Sequence, residues 1–125
     1  MLLSIDLTGE VPIYQQIRDR VVEGIASGEL AEGEALPSTR QLAVDLGINF
    51  HTVNKAYDLL RREGLLVINR KSGAIVRART TPQFTAEWQA RLKTLLAEAI
   101  AHGLDEREVL EHCGTALRTF EPATR

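Results

Sequence analysis

Residues 36–57 read LPSTRQLAVDLGINFHTVNKAY. Two short helical patterns are joined there by Leu46-Gly47-Ile48-Asn49. A glycine at such a joint accepts the left-handed backbone that a tight turn between helices requires. The second pattern opens on polar residues (Asn49, His51, Thr52, Asn54) and turns apolar only afterwards. That is the layout of a helix-turn-helix, whose second helix directs its first turn at base edges in the major groove. The expectation is a DNA-binding chain.

The surrounding sequence extends this into a winged arrangement. Ile13, Ile17, Val21 and Ile25 recur every four residues, so a first helix is predicted over 12–27, with Pro12 in its first turn and Gly28 as its C-terminal cap. Ser38 with Gln41 three positions on gives a capping-box start for the second helix, with Leu42, Ala43 and Leu46 inward. Asn49 is the expected cap of the third helix, predicted over 50–63, in which Val53, Ala56, Tyr57 and Leu60 form the buried face. Two short β-type runs, 65–68 and 75–76, flank a polar, glycine-containing tip and read as a hairpin. The predicted fold is mainly α with a small β-hairpin. It comprises a winged helix-turn-helix DNA-binding domain over 1–79 and a C-terminal helical hairpin over 80–125.

Charge follows the same division. Net charge is −2, but residues 36–79 hold eight basic residues against three acidic ones, while 1–35 hold two against seven. The apolar fraction of 44% is enough for a core. The N-terminus meets Asp6 without a basic stretch, so no signal peptide is expected, and no apolar run approaches the ~20 residues of a membrane span. Cys113 is the only cysteine, which excludes an intrachain disulfide and fits a cytoplasmic protein. No catalytic constellation can be assembled. His112 and Cys113 are neighbours that point roughly 100° apart on a helix, so no metal site is expected with His102, and no cofactor is implied.

So many fixed spacings together have a parallel. The chain resembles the GntR family of bacterial transcription regulators, and its YtrA-like subfamily in particular. Pro12, Tyr14, Gln16 and Ile17 are similar to the family's opening PxYxQI. Gly28, Leu30, Gly33, Leu36, Pro37, Ser38, Arg40, Leu42 and Ala43 follow its G-x-L-x-x-G-x-x-L-P-S-x-R-x-L-A, and Asn49, Thr52, Val53, Lys55, Ala56 and Tyr57 its N-x-x-T-V-x-[RK]-A-Y. The sequence departs at the wing, where Lys71-Ser72-Gly73 replaces a Gly-x-Gly, and at Phe50, where proline or arginine is common. The resemblance implies a compact dimerisation module in the tail and a repressor of nearby genes, often transport operons, with double-stranded DNA as partner; without a catalytic constellation, no enzymatic role is expected.

The expected interface combines three parts. Arg40 offers a planar fork to the O6/N7 edge of guanine, a contact worth roughly 1–3 kcal/mol of discrimination, the alternative being an ion pair with Asp45. Ser38 and Thr52, with Thr39 beside the former, bring hydroxyls and helix N-termini to phosphates, or simply cap their helices. His51 and Asn54 project together from the third helix, after its Asn49 cap. Phe50 is expected either to touch a thymine methyl or to fold back onto the core. Lys55, Arg61 and Arg62 are expected phosphate clamps, with one of the two arginines instead a solvated helix end. Arg70, Lys71, Ser72 and Gly73 form the wing tip, directed at the minor groove.

In the tail, an apolar stripe of Phe84, Trp88, Leu92, Leu95, Leu96, Val109, Leu110, Cys113 and Leu117 is the expected dimer interface, or else intrachain core. A two-fold dimer would read a palindromic operator with half-sites about 34–36 Å apart or a multiple of that. Two alternatives remain: a version controlled by a small-molecule effector, and a protein-interaction adaptor that uses the scaffold without DNA.

Overall fold

The computed structural model describes residues 4–70, 73–77 and 82–121, with side chains from 86 onward in the last stretch. The chain divides into two compact units, Met1–Arg79 and Thr80–Arg125. In the first, α1 (Ile13–Ser27), α2 (Thr39–Leu46) and α3 (Phe50–Arg62) precede an antiparallel hairpin of β1 (Leu66–Asn69) and β2 (Gly73–Val76). This is a winged helix-turn-helix.

Helix α1 starts one residue later than predicted. Pro12 is its N-cap rather than part of the first turn, and its carbonyl accepts from the Gln16 amide at 3.1 Å. Ile17 and Val21 are fully buried, and Ile13, Tyr14, Val22 and Ile25 pack around them. The buried Gln16 has a particular use. Its side-chain amide donates to the carbonyls of Asp6 (2.8 Å) and Val11 (2.9 Å), and its Oε1 accepts from the Asp6 amide (2.7 Å). All three bonds go to backbone, so one polar side chain fastens the N-terminal segment onto the helix without leaving an unsatisfied group. At Gly24, a Cβ would stand 3.0 Å from Leu30 Cδ1. The missing side chain lets the buried Leu30 close over the end of α1.

Gly47 takes the left-handed conformation expected of the turn, with φ 68°. It sets α2 against α3, and Leu42, Ala43, Val53, Ala56, Tyr57 and Leu60 fill the space between the helices. Tyr57 is both packed and bonded: its hydroxyl donates to the Pro37 carbonyl at 2.7 Å. Arg18 ties α1 to the C-terminal end of α3, with Nε donating to Glu63 Oε1 (2.9 Å) and Nη2 to Oε2 (2.7 Å). That two-pronged pair raises the guanidinium pKa further above its already high value.

Strand β1 is shifted by one residue from its apolar run, and β2 starts two residues before its own. Leu66 pairs with Val76 and Asn69 with Gly73, while Leu65 instead donates its amide to the Leu60 carbonyl. The segment before α2 also joins the wing. Gly33 N donates to Val76 O (2.8 Å), Val76 N to Glu34 O (2.9 Å) and Leu36 N to Ala74 O (2.8 Å), with a bridge between Ala35 and Ile75. The base of the wing thus has a third edge where only a connecting loop was predicted.

The second unit consists of α4 (Pro82–Ala101) and α5 (Glu106–Arg118). Asp105 and Glu108 form the capping box predicted there: the carboxylate accepts from Glu108 N at 2.9 Å, and the Glu108 side chain accepts from Asp105 N at 3.4 Å. Leu92, Leu96, Val109 and Cys113 are half-buried, but α5 buries no residue fully. No helix among the described residues is long and apolar enough to cross a membrane.

Burial pushes the Tyr57 phenol well above its ordinary value of 10.0. The folded state therefore holds this proton more tightly than the unfolded chain. The associated stability is complete below 10.0 and is lost as pH rises above it. Tyr57→Phe should cost about 1 kcal/mol at neutral pH through the lost bond to Pro37. It should also flatten the alkaline fall in stability, both read from urea unfolding at stepped pH.

Candidate nucleic-acid interface

The cationic edge is built by the two caps of the helix-turn-helix. Ser38 Oγ accepts from Gln41 N at 3.0 Å and starts α2. The reciprocal half of the expected capping box is not made, because the Gln41 amide donates instead to Asp45 one turn on, at 2.8 Å. That bond also occupies the carboxylate considered as a partner for Arg40. Arg40 turns the other way: its Cζ lies 4.6 Å from the centroid of the Phe50 ring. Among the described residues no carboxylate pairs with it.

Asn49 caps α3 by accepting from the His51 amide at 2.8 Å, and the Thr52 amide donates to the Asn49 carbonyl at 3.0 Å. Of the two expectations for Phe50, the structure shows the inward one in part. The ring packs against the edge of the core, half-exposed, and its outer surface carries Arg40. The His51 ring lies 4.1 Å from that of Phe50, tilted by 32°. Arg40, Phe50 and His51 are thus one stack across the start of α3. His51 and Asn54 are exposed, while Thr39 and Thr52 are half-buried.

Lys55 is exposed, but its ammonium is placed. Nζ sits 4.1 Å from the Tyr14 ring centroid, so α1 supplies a rest for a cation of α3. Nothing local in the sequence marks Tyr14 for this. The tyrosine belongs to the apolar side of α1, and the contact joins residues far apart in the chain. Arg61 and Arg62, the other expected clamps, share one carboxylate. Both pair with Asp58, at 2.6 Å and 3.2 Å, and the hydrogen bond from Arg61 chiefly pulls the Asp58 carboxyl below its usual range. Both arginines stay exposed, so they hold an internal counterion while facing solvent.

On the wing, Arg70 is exposed and Gly73 has φ 74°. Lys71 and Ser72 lie outside the described residues, as does the Phe84 side chain. No group of His, Cys, Asp and Glu among the described residues is arranged to hold a metal ion.

A three-helix helix-turn-helix with an antiparallel wing and an exposed cationic edge defines a class, and the comparisons narrow it. Residues 13–76 match the bacterial regulatory proteins of the gntR family, so the chain belongs to the GntR family of transcription regulators. It is 38% identical over 82 residues to the transcriptional repressor YtrA of Bacillus subtilis, covering 64% of this chain and 63% of YtrA. It is 40% identical over 75 residues to the regulator SmoD of Agrobacterium fabrum, but there the alignment spans only 32% of the relative. Among solved structures, a transcriptional antiterminator from Listeria monocytogenes superimposes with a TM-score of 0.88 at 27% identity, over 96% of this chain and 92% of the other. YtrA from Sulfolobus acidocaldarius gives 0.59 at 35% identity, over 94% and 97%. The DNA-binding domain of AraR, solved with an operator, gives 0.55 at 25% identity over 61% of this chain and 98% of the domain.

If the Tyr14 ring fixes Lys55 for use on a phosphate, Tyr14→Leu should weaken duplex binding roughly two- to threefold, in the range of a surface cation–π contact. Fluorescence anisotropy with a labelled duplex reads this, and an unchanged melting temperature separates it from a folding defect.

Proposed function

We propose that the chain is a dimeric repressor that binds a palindromic operator near its own operon. The observation carrying this is the placement of Arg40, exposed at the first turn of α2 and laid over Phe50 at the first turn of α3. A guanidinium held there by a ring rather than a carboxylate keeps its N–H fork for a guanine edge. Exposed His51 and Asn54 add hydrogen-bonding groups on the adjoining face. Ser38, Thr39, Asn49, Thr52, Lys55, Arg62 and the wing residues Arg70 to Gly73 complete the reading as contacts to the duplex. The AraR domain was solved on an operator, and YtrA of Bacillus subtilis is a repressor. Both support the same assignment here.

Dimerisation is drawn from the second unit. Trp88, Leu95, Ile100, Leu110 and Leu117 are exposed at 44%, 61%, 56%, 62% and 68%. Two helices that leave such residues in water have an apolar surface to cover, and a second copy of the hairpin is a self-complementary cover. Doubling the reading edge also supplies the affinity and specificity that one half-site lacks. In this reading Trp88 anchors the interface, with Leu92, Leu95, Leu96, Val109, Leu110, Cys113 and Leu117 around it.

A mobility shift with the DNA upstream of the chain's own gene tests the proposal. Binding should weaken steeply with salt, and Arg40→Ala should lose roughly 10- to 100-fold, the worth of one bidentate base contact. No salt-dependent duplex binding, and no loss on Arg40→Ala, would favour the adaptor alternative. Separately, Leu110→Glu with Leu117→Glu should yield a folded monomer in light scattering, with operator affinity reduced by at least an order of magnitude. A double variant that stays dimeric would place the interface elsewhere.

A further inference from the structure

A shallow recess of about 370 Å³ lies beside Arg40, between α2 and the start of α3, lined by Arg40, Ala43, Val44, Gly47, Ile48 and Phe50. Apart from the guanidinium at its rim, its side chains are all apolar. Val44 is the unusual member. It is 75% exposed, more than any other large hydrophobic residue described, although α2 has an inward face that Leu42 and Ala43 already fill. Val44 follows Arg40 by four residues, so the two project from the same side of the helix. Gly47 contributes no side chain, which leaves the recess open next to Ile48. Phe50 bounds the recess and carries the Arg40 guanidinium on its ring.

We infer that this recess takes the C5-methyl group of a pyrimidine in the base pair beside the guanine that Arg40 reads. The inference rests on the duplex-binding reading given above and names one component of the sequence it recognises. Thymine's methyl group is what a major-groove base edge offers to an aliphatic surface, and 5-methylcytosine offers the same group. Stacked base pairs are roughly 3.4 Å apart, so a guanine held by Arg40 brings the neighbouring pair's edge over Val44. The cationic rim supplies the matching charge, because it draws the guanine acceptors that fix the register. Phe50 does two things here: it orients the guanidinium and forms one wall of the methyl site. A proline or arginine at that position could not do both.

The test uses the full chain and a duplex selected on it from a random pool. Each guanine of the selected duplex is replaced in turn by 7-deazaguanine, which lacks the N7 acceptor, and each thymine by deoxyuridine, which lacks only the methyl group. The expected result is one thymine, next to the most sensitive guanine, whose conversion to deoxyuridine weakens binding about fourfold, the worth of one buried methyl-sized group. At that position 5-methylcytosine should bind more tightly than cytosine by a similar factor. Val44→Ser, which changes an exposed residue and spares the core, should erase both differences while the 7-deazaguanine penalty persists; Phe50→Leu should reduce both penalties together. A deoxyuridine series with no sensitive position beside that guanine, or a full methyl effect retained in Val44→Ser, would overturn the inference and leave the duplex-binding reading standing. If no duplex is enriched, both fall together.

Discussion

The first unit depends on how the chain enters α2, and one hydrogen bond sets that entry. The buried Tyr57 hydroxyl reaches back from α3 to the Pro37 carbonyl, one residue before the Ser38 cap. Pro37 lies three residues before Arg40, so the position of that carbonyl sets where the guanidinium begins. The Gly47 turn then returns the chain so that Phe50 arrives beneath it. Buried apolar surface makes the three helices stable. The phenol–carbonyl bond makes their arrangement specific, because a misplaced α2 would leave a buried hydroxyl without a partner.

Most of this was legible in the sequence, and the legible parts are local. Helix α3 follows from a cap at Asn49 and an i, i+3, i+4, i+7 apolar set that ends at Leu60. The α2–α3 turn follows from Gly47, and the start of α5 from Asp105 and Glu108. What could not be read involves choices between partners. Gln41 had the Ser38 backbone and the Asp45 carboxylate within reach, and spacing alone does not rank them. The rest of Lys55 on Tyr14 and the pairing of residues 33–36 with β2 are long-range contacts. The segment 33–36 has no alternating pattern that would mark it as an edge. Phe50 stood between two readings because it does something in common with each, packing inward while presenting its outer surface to Arg40.

Five described cations of this unit fall into two groups by what holds them. Arg40 and Lys55 rest on aromatic rings, which locate a charge without neutralising it. Arg18, Arg61 and Arg62 are paired with carboxylates, Arg18 in the structural link to Glu63 and the other two around Asp58. The positive excess of residues 36–79 is therefore not evenly available. It is left open at Arg40 and Lys55 and locally offset by Asp58 at the end of α3, a distinction that a count of basic residues does not make.

The bonds from Gly33, Glu34 and Leu36 to β2 have a mechanical consequence. They join the base of the wing to the approach of α2, so strand and helix entry share one anchored backbone. Evolutionary drift in length is then unevenly tolerated. Residues can be gained or lost between β1 and β2 without disturbing the helices, whereas an insertion inside 33–36 would slip the pairing and carry α2 out of register with it.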